Sequence, residues 1–274
     1  MDILKLLGLK NKKESQPINK YELDIATIYE TGQRPQNEDY FFPQENFAKA
    51  IPDLGHLFIV CDGIGGAEKG EVASKLVCEK VYQHLSQQKD LTDPPALIQA
   101  AVDQGMLALY DYIKAEPMSN GLGTTFTFLW LKSGQAYIAH IGDSRVYLFR
   151  DQKIVHVTKD HSHVNDLVGA GLITAERALT HPKRNIITRA MAAKIDPEHP
   201  KPKMIKADIT LIDTLFENDQ FFLCTDGIQE SFTDPELLEV FNANNTPEDK
   251  ATVLKEKCAK QSKDNHTAFI IQLK

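Results

Sequence analysis

Between Arg34 and Asp264 the chain carries four short acidic islands. They are Arg34-Pro35-Gln36-Asn37-Glu38-Asp39, Cys61-Asp62-Gly63-Ile64-Gly65-Gly66, Thr225-Asp226-Gly227 and Lys263-Asp264-Asn265-His266-Thr267. Each sets a carboxylate beside a glycine turn or at the end of an apolar run, where a strand would expose it at one rim of a sheet. Hard divalent cations such as Mg²⁺ and Mn²⁺ take oxygen ligands, and a site for two of them needs several carboxylates gathered by the fold. A carboxylate-lined metal centre is therefore the first expectation. Its plain alternative is turn chemistry, for which Asp-Gly pairs are common.

The elements that would have to gather these acids are legible as periodicity. Residues 21–31 and 56–61 read as strands. Residues 67–87, with Val72, Leu76, Val77, Val81 and Leu85 in phase, read as a helix, and residues 94–115 as a second one entered through prolines. Three strands follow at 124–131, 136–141 and 145–149, taking in Gly123-Thr124-Thr125 as core strand. Ser133-Gly134 and Gly142-Asp143-Ser144 read as hairpin turns between them. Residues 160–189 are polar and rich in His and Arg, with helical pieces at 164–169 and 174–179, and read as an excursion from the core. Strands at 204–211, 220–224 and 266–273 and helices at 235–241 and 247–261 complete a mixed α and β chain with antiparallel sheets.

Composition narrows the function classes. A chain of 274 residues with 42% hydrophobic residues can bury a substantial core. A net charge of −7 argues against general attraction to nucleic acid. The four cysteines form no C-x-x-C pair, which removes zinc-ribbon and thioredoxin-like readings and fits a reducing cytoplasm. No run reaches the ~20 apolar residues of a spanning helix. Residues 1–20 read as a leading segment and linker. The apolar start is a short helix that packs on the globule or touches a partner, with weak membrane contact as the alternative. Residues 21–274 form one domain. A P-loop fails because Gly70 is followed by Glu71 and Val72, and a dinucleotide fingerprint fails because Glu68 stands where its third glycine belongs.

Taken together and in order, the islands resemble the PPM (type 2C) family of metal-dependent serine/threonine phosphatases, in its bacterial branch. The resemblance runs over residues 21–273. It rests on R-x-x-N-E-D at 34–39, D-G-x-G-G at 62–66, G-T-T at 123–125, G-D-S-R at 142–145, T-x-D-H-S at 158–162, H-P-x-R-N at 181–185, T-D-G at 225–227 and D-N at 264–265. It implies an α+β fold of two stacked antiparallel sheets flanked by helix pairs, with a flap at about 160–190. It also implies hydrolysis of phosphoserine and phosphothreonine on proteins through a hydroxide bridging two Mn²⁺ or Mg²⁺ ions.

By motif, the resemblance makes Asp62 the bridging ligand, puts Glu38 and the Gly63 carbonyl on one side and Asp226 and Asp264 on the other, and gives Asp143 to a third, weaker ion. Arg34 matches the arginine that orients the substrate phosphate. Each role has its alternative: Glu38 acting through water, Asp143 as a hairpin corner, Arg34 as a partner of neighbouring acids. Asp39, a second acceptor or a strand-end cap, is left outside the set. His161 and His163 read as solvated loop side chains and Arg145 as a structural ion pair. Ile64 departs from the animal pattern, which has a histidine there as the proposed general acid, and His266 stands where a small apolar residue is usual. The expected partners are phosphoproteins of a Hanks-type kinase, met by a monomer in the cytoplasm. A catalytically silent scaffold of the same fold is the alternative.

Overall fold

The computed structural model describes residues 17–45, 49–64, 69–116, 121–196 and 201–274. Residues 1–16, and with them the leading segment, lie outside the described residues, as do Gly65 and Gly66.

One five-stranded antiparallel sheet is ordered β1 (Leu23–Glu30), β12 (His266–Leu273), β11 (Gln220–Cys224), β7 (Arg145–Arg150), β8 (Lys153–Val157). The other is ordered β10 (Asp208–Ile212), β6 (Gln135–Ile141), β5 (Phe126–Lys132), β3 (His56–Cys61), β2 (Tyr40–Phe42). A two-stranded sheet pairs β4 (Leu122–Thr124) with β9 (Met191–Ala193). The helices among the described residues are α1 (Gly70–Ser86), α2 (Pro94–Ala115), α3 (His163–Gly169), α4 (Ala175–Leu179), α5 (Asp226–Gln229), α6 (Asp234–Asn242) and α7 (Pro247–Gln261).

Alternation along the strands explains the layering, because successive side chains leave a strand on opposite faces. On β3, Phe58 and Val60 join Leu129, Ile138, Val146, Phe221, Leu223, Phe269 and Ile271 in the layer between the sheets. Their neighbours Leu57, Ile59 and Cys61 face the other way, onto Val77, Val81, Ile98, Val102 and Leu109 of α1 and α2. In the first sheet Tyr147, Phe149, Phe222 and Ile270 meet Leu237, Phe241 and Leu254 of α6 and α7. Both faces of each sheet are thus covered, so the central strands are apolar throughout. The result is the α+β sandwich of two antiparallel sheets between helix pairs.

Pairing register brings the acidic islands to one end. Tyr40 pairs with Cys61, Phe126 with Ile141, Arg145 with Cys224, and Ala268 with both Cys224 and Ile28. The segments holding Glu38, Asp62, Asp143, Asp226 and Asp264 therefore leave the sandwich together.

Several sequence expectations change here. Gly142-Asp143-Ser144 is no hairpin: β6 and β7 lie in different sheets, and the three residues carry the chain across. Gly142 takes φ of 114° in that crossing, and a Cβ there would stand 2.7 Å from Thr125 Cγ2, so glycine is required on both counts. The hairpin that does follow joins β7 to β8 through Asp151 and Gln152, at φ of 50° and 63°. Neither is a glycine, so the usual turn signal is missing. The strand expected over 124–131 breaks at Thr125, and Gly123-Thr124 pairs with β9 instead of a main sheet.

Candidate metal centre

The backbone around Asp62 is held by the two threonines that follow Gly123. Thr125 Oγ1 accepts from the Asp62 amide at 2.9 Å, and the Asp62 carbonyl accepts from Thr125 N and Thr124 Oγ1, both at 2.8 Å. The break in the strand at Thr125 is what lets these side chains clamp the loop, a role that reading them as core strand missed. Gly63 donates to the Glu38 carbonyl at 3.1 Å, and any Cβ on Gly63 would collide with the carbonyls of Gly70 and Glu38. The Glu38 carboxylate in turn lies over Gly70, where a Cβ would stand 3.1 Å from its Cδ.

Asn265 ties the first island to the last. Its side-chain oxygen accepts from Glu38 N at 2.8 Å while its Nδ2 donates to the carbonyls of Thr31 and Gln36 at 2.8 and 2.9 Å. Asp264, one residue earlier, accepts from Arg34 Nη2 at 2.5 Å. Arg34 therefore sits at the mouth of the site, half-exposed and paired with an acid, and that bond raises the guanidinium pKa above its ordinary value.

The carboxylates repel one another. Burial first, then the charges of Asp39, Asp226, Asp143 and Asp264, hold the Asp62 carboxyl well above the usual range. Asp226 is raised to about 6 by burial and then by Asp264 and Glu230. Asp143 is raised to about 8 by burial, Asp226 and Asp160, and Glu38 is raised mainly by burial. Asp62 and Asp226 keep some surface open to solvent although protein surrounds them closely. Asp39, left outside the sequence-derived set, belongs to this group. It is 2% exposed, accepts from Thr225 Oγ1 at 3.0 Å, and is raised to about 7 by burial first and then by the charge of Asp226. A carboxylate facing inward from a strand end is the signal that could have found it.

Buried carboxylate oxygens in native proteins have partners. Among the described residues Asp39 Oδ1, Asp143 Oδ1 and Asp226 Oδ1 are buried and have none. An all-oxygen, net-negative donor set with unpaired lone pairs fits hard divalent cations.

A second cluster invites comparison. His140, His161 and Asp208 bring potential ligand atoms within 4.8 Å of one another. Here at least one nitrogen of each ring and both Asp208 oxygens are already engaged. His161 Nδ1 accepts from Gly142 N at 3.0 Å, and its Nε2 faces Asp208 at 3.1 Å and the Arg189 guanidinium at 2.7 Å. His140 Nε2 is engaged with the Lys159 carbonyl at 2.9 Å. The Arg189 charge, 2.9 Å from Asp208, stands where a cation would have to bind. This cluster fastens residues 160–189 to the crossing at Gly142. His161 is accordingly buried and stacked on His140, with ring centroids 4.6 Å apart, where the sequence reading had it solvated. Arg145 is the structural ion pair expected, forking onto Asp160 at 2.6 and 2.7 Å. His266 is buried, with Nδ1 3.2 Å from the Asp264 carbonyl.

Comparison with known proteins identifies the family. The protein phosphatase 2C profile matches residues 36–257. Serine/threonine protein phosphatase PstP of Mycobacterium tuberculosis is 35% identical over 184 residues, 67% of this chain but 34% of PstP, so the match spans about a third of that relative. Serine/threonine phosphatase stp of Listeria monocytogenes is 28% identical over 243 residues, 87% of this chain and 91% of its own length. Among solved structures, Stp1 of Staphylococcus aureus superposes with a TM-score of 0.79 at 28% identity, covering 96% of this chain and 99% of Stp1. The catalytic domain of PstP in complex with two manganese ions gives 0.75 at 28% identity, covering 93% and 99%. With a profile match that runs through both sheets and takes in Glu38, Asp62, Asp143 and Asp226, the chain belongs to the protein phosphatase 2C family.

Proposed function

We propose that this chain is a metal-dependent phosphatase that hydrolyses phosphoserine and phosphothreonine on proteins, with residues 21–274 as its catalytic domain. The observation that carries this reading is the set of buried, unpartnered oxygens on Asp143 and Asp226 beside Asp62, in a family whose relatives are named serine/threonine phosphatases. Asp62, the Gly63 carbonyl, Glu38, Asp226 and Asp264 would hold two Mn²⁺ or Mg²⁺ ions, and Asp143 would contribute to a third. Divalent ions in such a site neutralise phosphoryl charge and lower the pKa of water to the neutral range. The chain's own residues do the remainder. Arg34 presents a planar donor fork at the mouth, suited to two phosphoryl oxygens. Thr124 and Thr125 fix the Asp62 backbone, and Asn265 holds the Glu38 segment against Asp264. Ile64 carries no proton to give a leaving alkoxide.

Substrates would be phosphoproteins of a Hanks-type kinase, met by a monomer in the cytoplasm; among the described residues no helix is long and apolar enough to cross a membrane. The test is release of phosphate from an aryl phosphate and from a phosphothreonine peptide. Activity should appear with manganese and vanish on chelation. Silence on both substrates with either metal would leave the scaffold reading instead.

A further inference from the structure

A groove of about 750 Å³ opens beside the candidate metal centre. Its floor is made of small residues paired across β4 and β9, with Leu122 opposite Ala193 and Gly123 opposite Ala192. Its near wall is Ile64, whose amide donates to the Gly123 carbonyl at 3.0 Å. A side chain at Gly123 would crowd Ile64, with Cβ 3.2 Å from its Cδ1, so glycine keeps the floor low. Among the described residues the rim carries Lys194, Lys201 and Lys203 against one acid, Asp196. All three lysines are exposed, and none has an ion-pair partner among the described residues. On a chain of net charge −7 the described rim residues reverse the sign locally.

The groove is continuous with the site. Ile64 follows Asp62 by two positions, at most ~7 Å along the backbone. An extended peptide advances about 3.3 Å per residue, so a phosphorylated residue at Asp62 would lay its neighbours two or three positions away over this floor. Resting on the phosphatase reading above, we infer that the groove docks the substrate segment flanking the phosphorylated residue, and that this segment pairs an apolar side chain with acidic ones. The apolar side chain seats against Ile64, Leu122 and Ala193, and the acids meet the lysine rim. Position Ile64 thereby becomes a wall for substrate.

The experiment uses the full, manganese-loaded chain with Lys201→Glu and Lys203→Glu combined, and phosphothreonine peptides whose flanks differ only in being acidic or lysine-bearing. The unaltered protein should prefer the acidic peptide. In the double variant its KM should rise about tenfold while the lysine-bearing peptide gains, as exchange of charge across a contact requires. Ala192→Trp, on an exposed position, should raise KM for a peptide with an apolar flank more than for one with a glycine flank. Unchanged preference in both variants, or equal loss on every peptide, overturns the docking assignment. Failure of the unaltered protein to release phosphate from an aryl phosphate would instead sink the phosphatase reading.

Discussion

Strand β11 has an aspartate at each end, and the fold treats the two oppositely. Asp219, at the end away from the site, is fully buried and completely partnered. Arg150 forks onto both of its oxygens at 2.7 Å, Phe216 N donates to it at 2.9 Å, and the guanidinium lies 4.3 Å over the Phe216 ring. Asp226, at the other end, has a buried oxygen with no partner and further carboxylates for neighbours. Burial raises both carboxyls, but Asp219 has Arg150 bonded to both of its oxygens and pulling its pKa back down, whereas Asp226 feels only the charge of Arg34, itself bonded to Asp264. The lesson is that the protein can pair a buried acid where structure alone is at stake. The end where it leaves oxygens unpaired is the end that the phosphatase reading assigns to a cation from outside.

The sharpest way to break this contrast is to remove one charge from the unpaired end. Asp62→Asn keeps the shape of the side chain and its backbone clamp. Turnover of an aryl phosphate with manganese should fall on the order of a thousandfold, about 4 kcal/mol of barrier. The metal-free fold should survive or gain stability, because a repulsive charge is gone. Near-normal turnover in a folded, metal-loaded variant would remove Asp62 from the site. The matching change at the paired end has the reverse profile. Arg150→Met strands Asp219 and should cost about 3 to 5 kcal/mol of stability by denaturant unfolding, as loss of one partner of a buried pair does. The kcat of whatever remains folded should be unaffected. A loss below about 1 kcal/mol would mean that Asp219 is solvated when Arg150 leaves.

These two ends were unequally legible in the sequence. Asp62, Asp226 and Asp264 stand out because glycine or asparagine follows an acid at a strand boundary, and the order of those islands carried the family resemblance. The apolar cores were legible too, since helices α2 and α7 and strands β3, β11 and β12 follow from periodicity and proline or glycine punctuation. Asp39 and the Arg150–Asp219 pair were not, because an inward carboxylate looks like any other acid until the sheet's facing is known. The crossing at Gly142 was mistaken for a hairpin because a short glycine link between two strands fits both, and only the pairing partners decide. The β7–β8 hairpin was missed for the opposite reason: Asp151 and Gln152 adopt positive φ without announcing it. Thr124 and Thr125 looked like strand residues because their β-branched side chains favour strands. Their hydroxyls, bonded to the Asp62 loop, are what the pattern hides.

The pH dependence of stability is the test most specific to the comparison, because it measures the unpaired end without any catalysis. In the metal-free protein Asp226, Asp39 and Asp143 titrate at about 6, 7 and 8, against about 4 for an exposed aspartate. A folded-state pKa above the unfolded one means that the folded state holds the proton more tightly. The associated stability is complete below about pH 4 and is lost as pH rises through these values. The melting temperature of the chelated protein should therefore fall as pH rises from 5 to 8. Manganese should flatten the slope, since a bound cation replaces the protons, and Asp226→Asn should reduce it without metal. Asp219 shares the upward shift in direction but keeps its arginine, so Asp219→Asn should lower stability while leaving most of that slope in place. A chelated protein whose melting temperature rises steadily from pH 5 to pH 8 would show that the acids at the site end find partners of their own, and the contrast between the two ends of β11 would be lost.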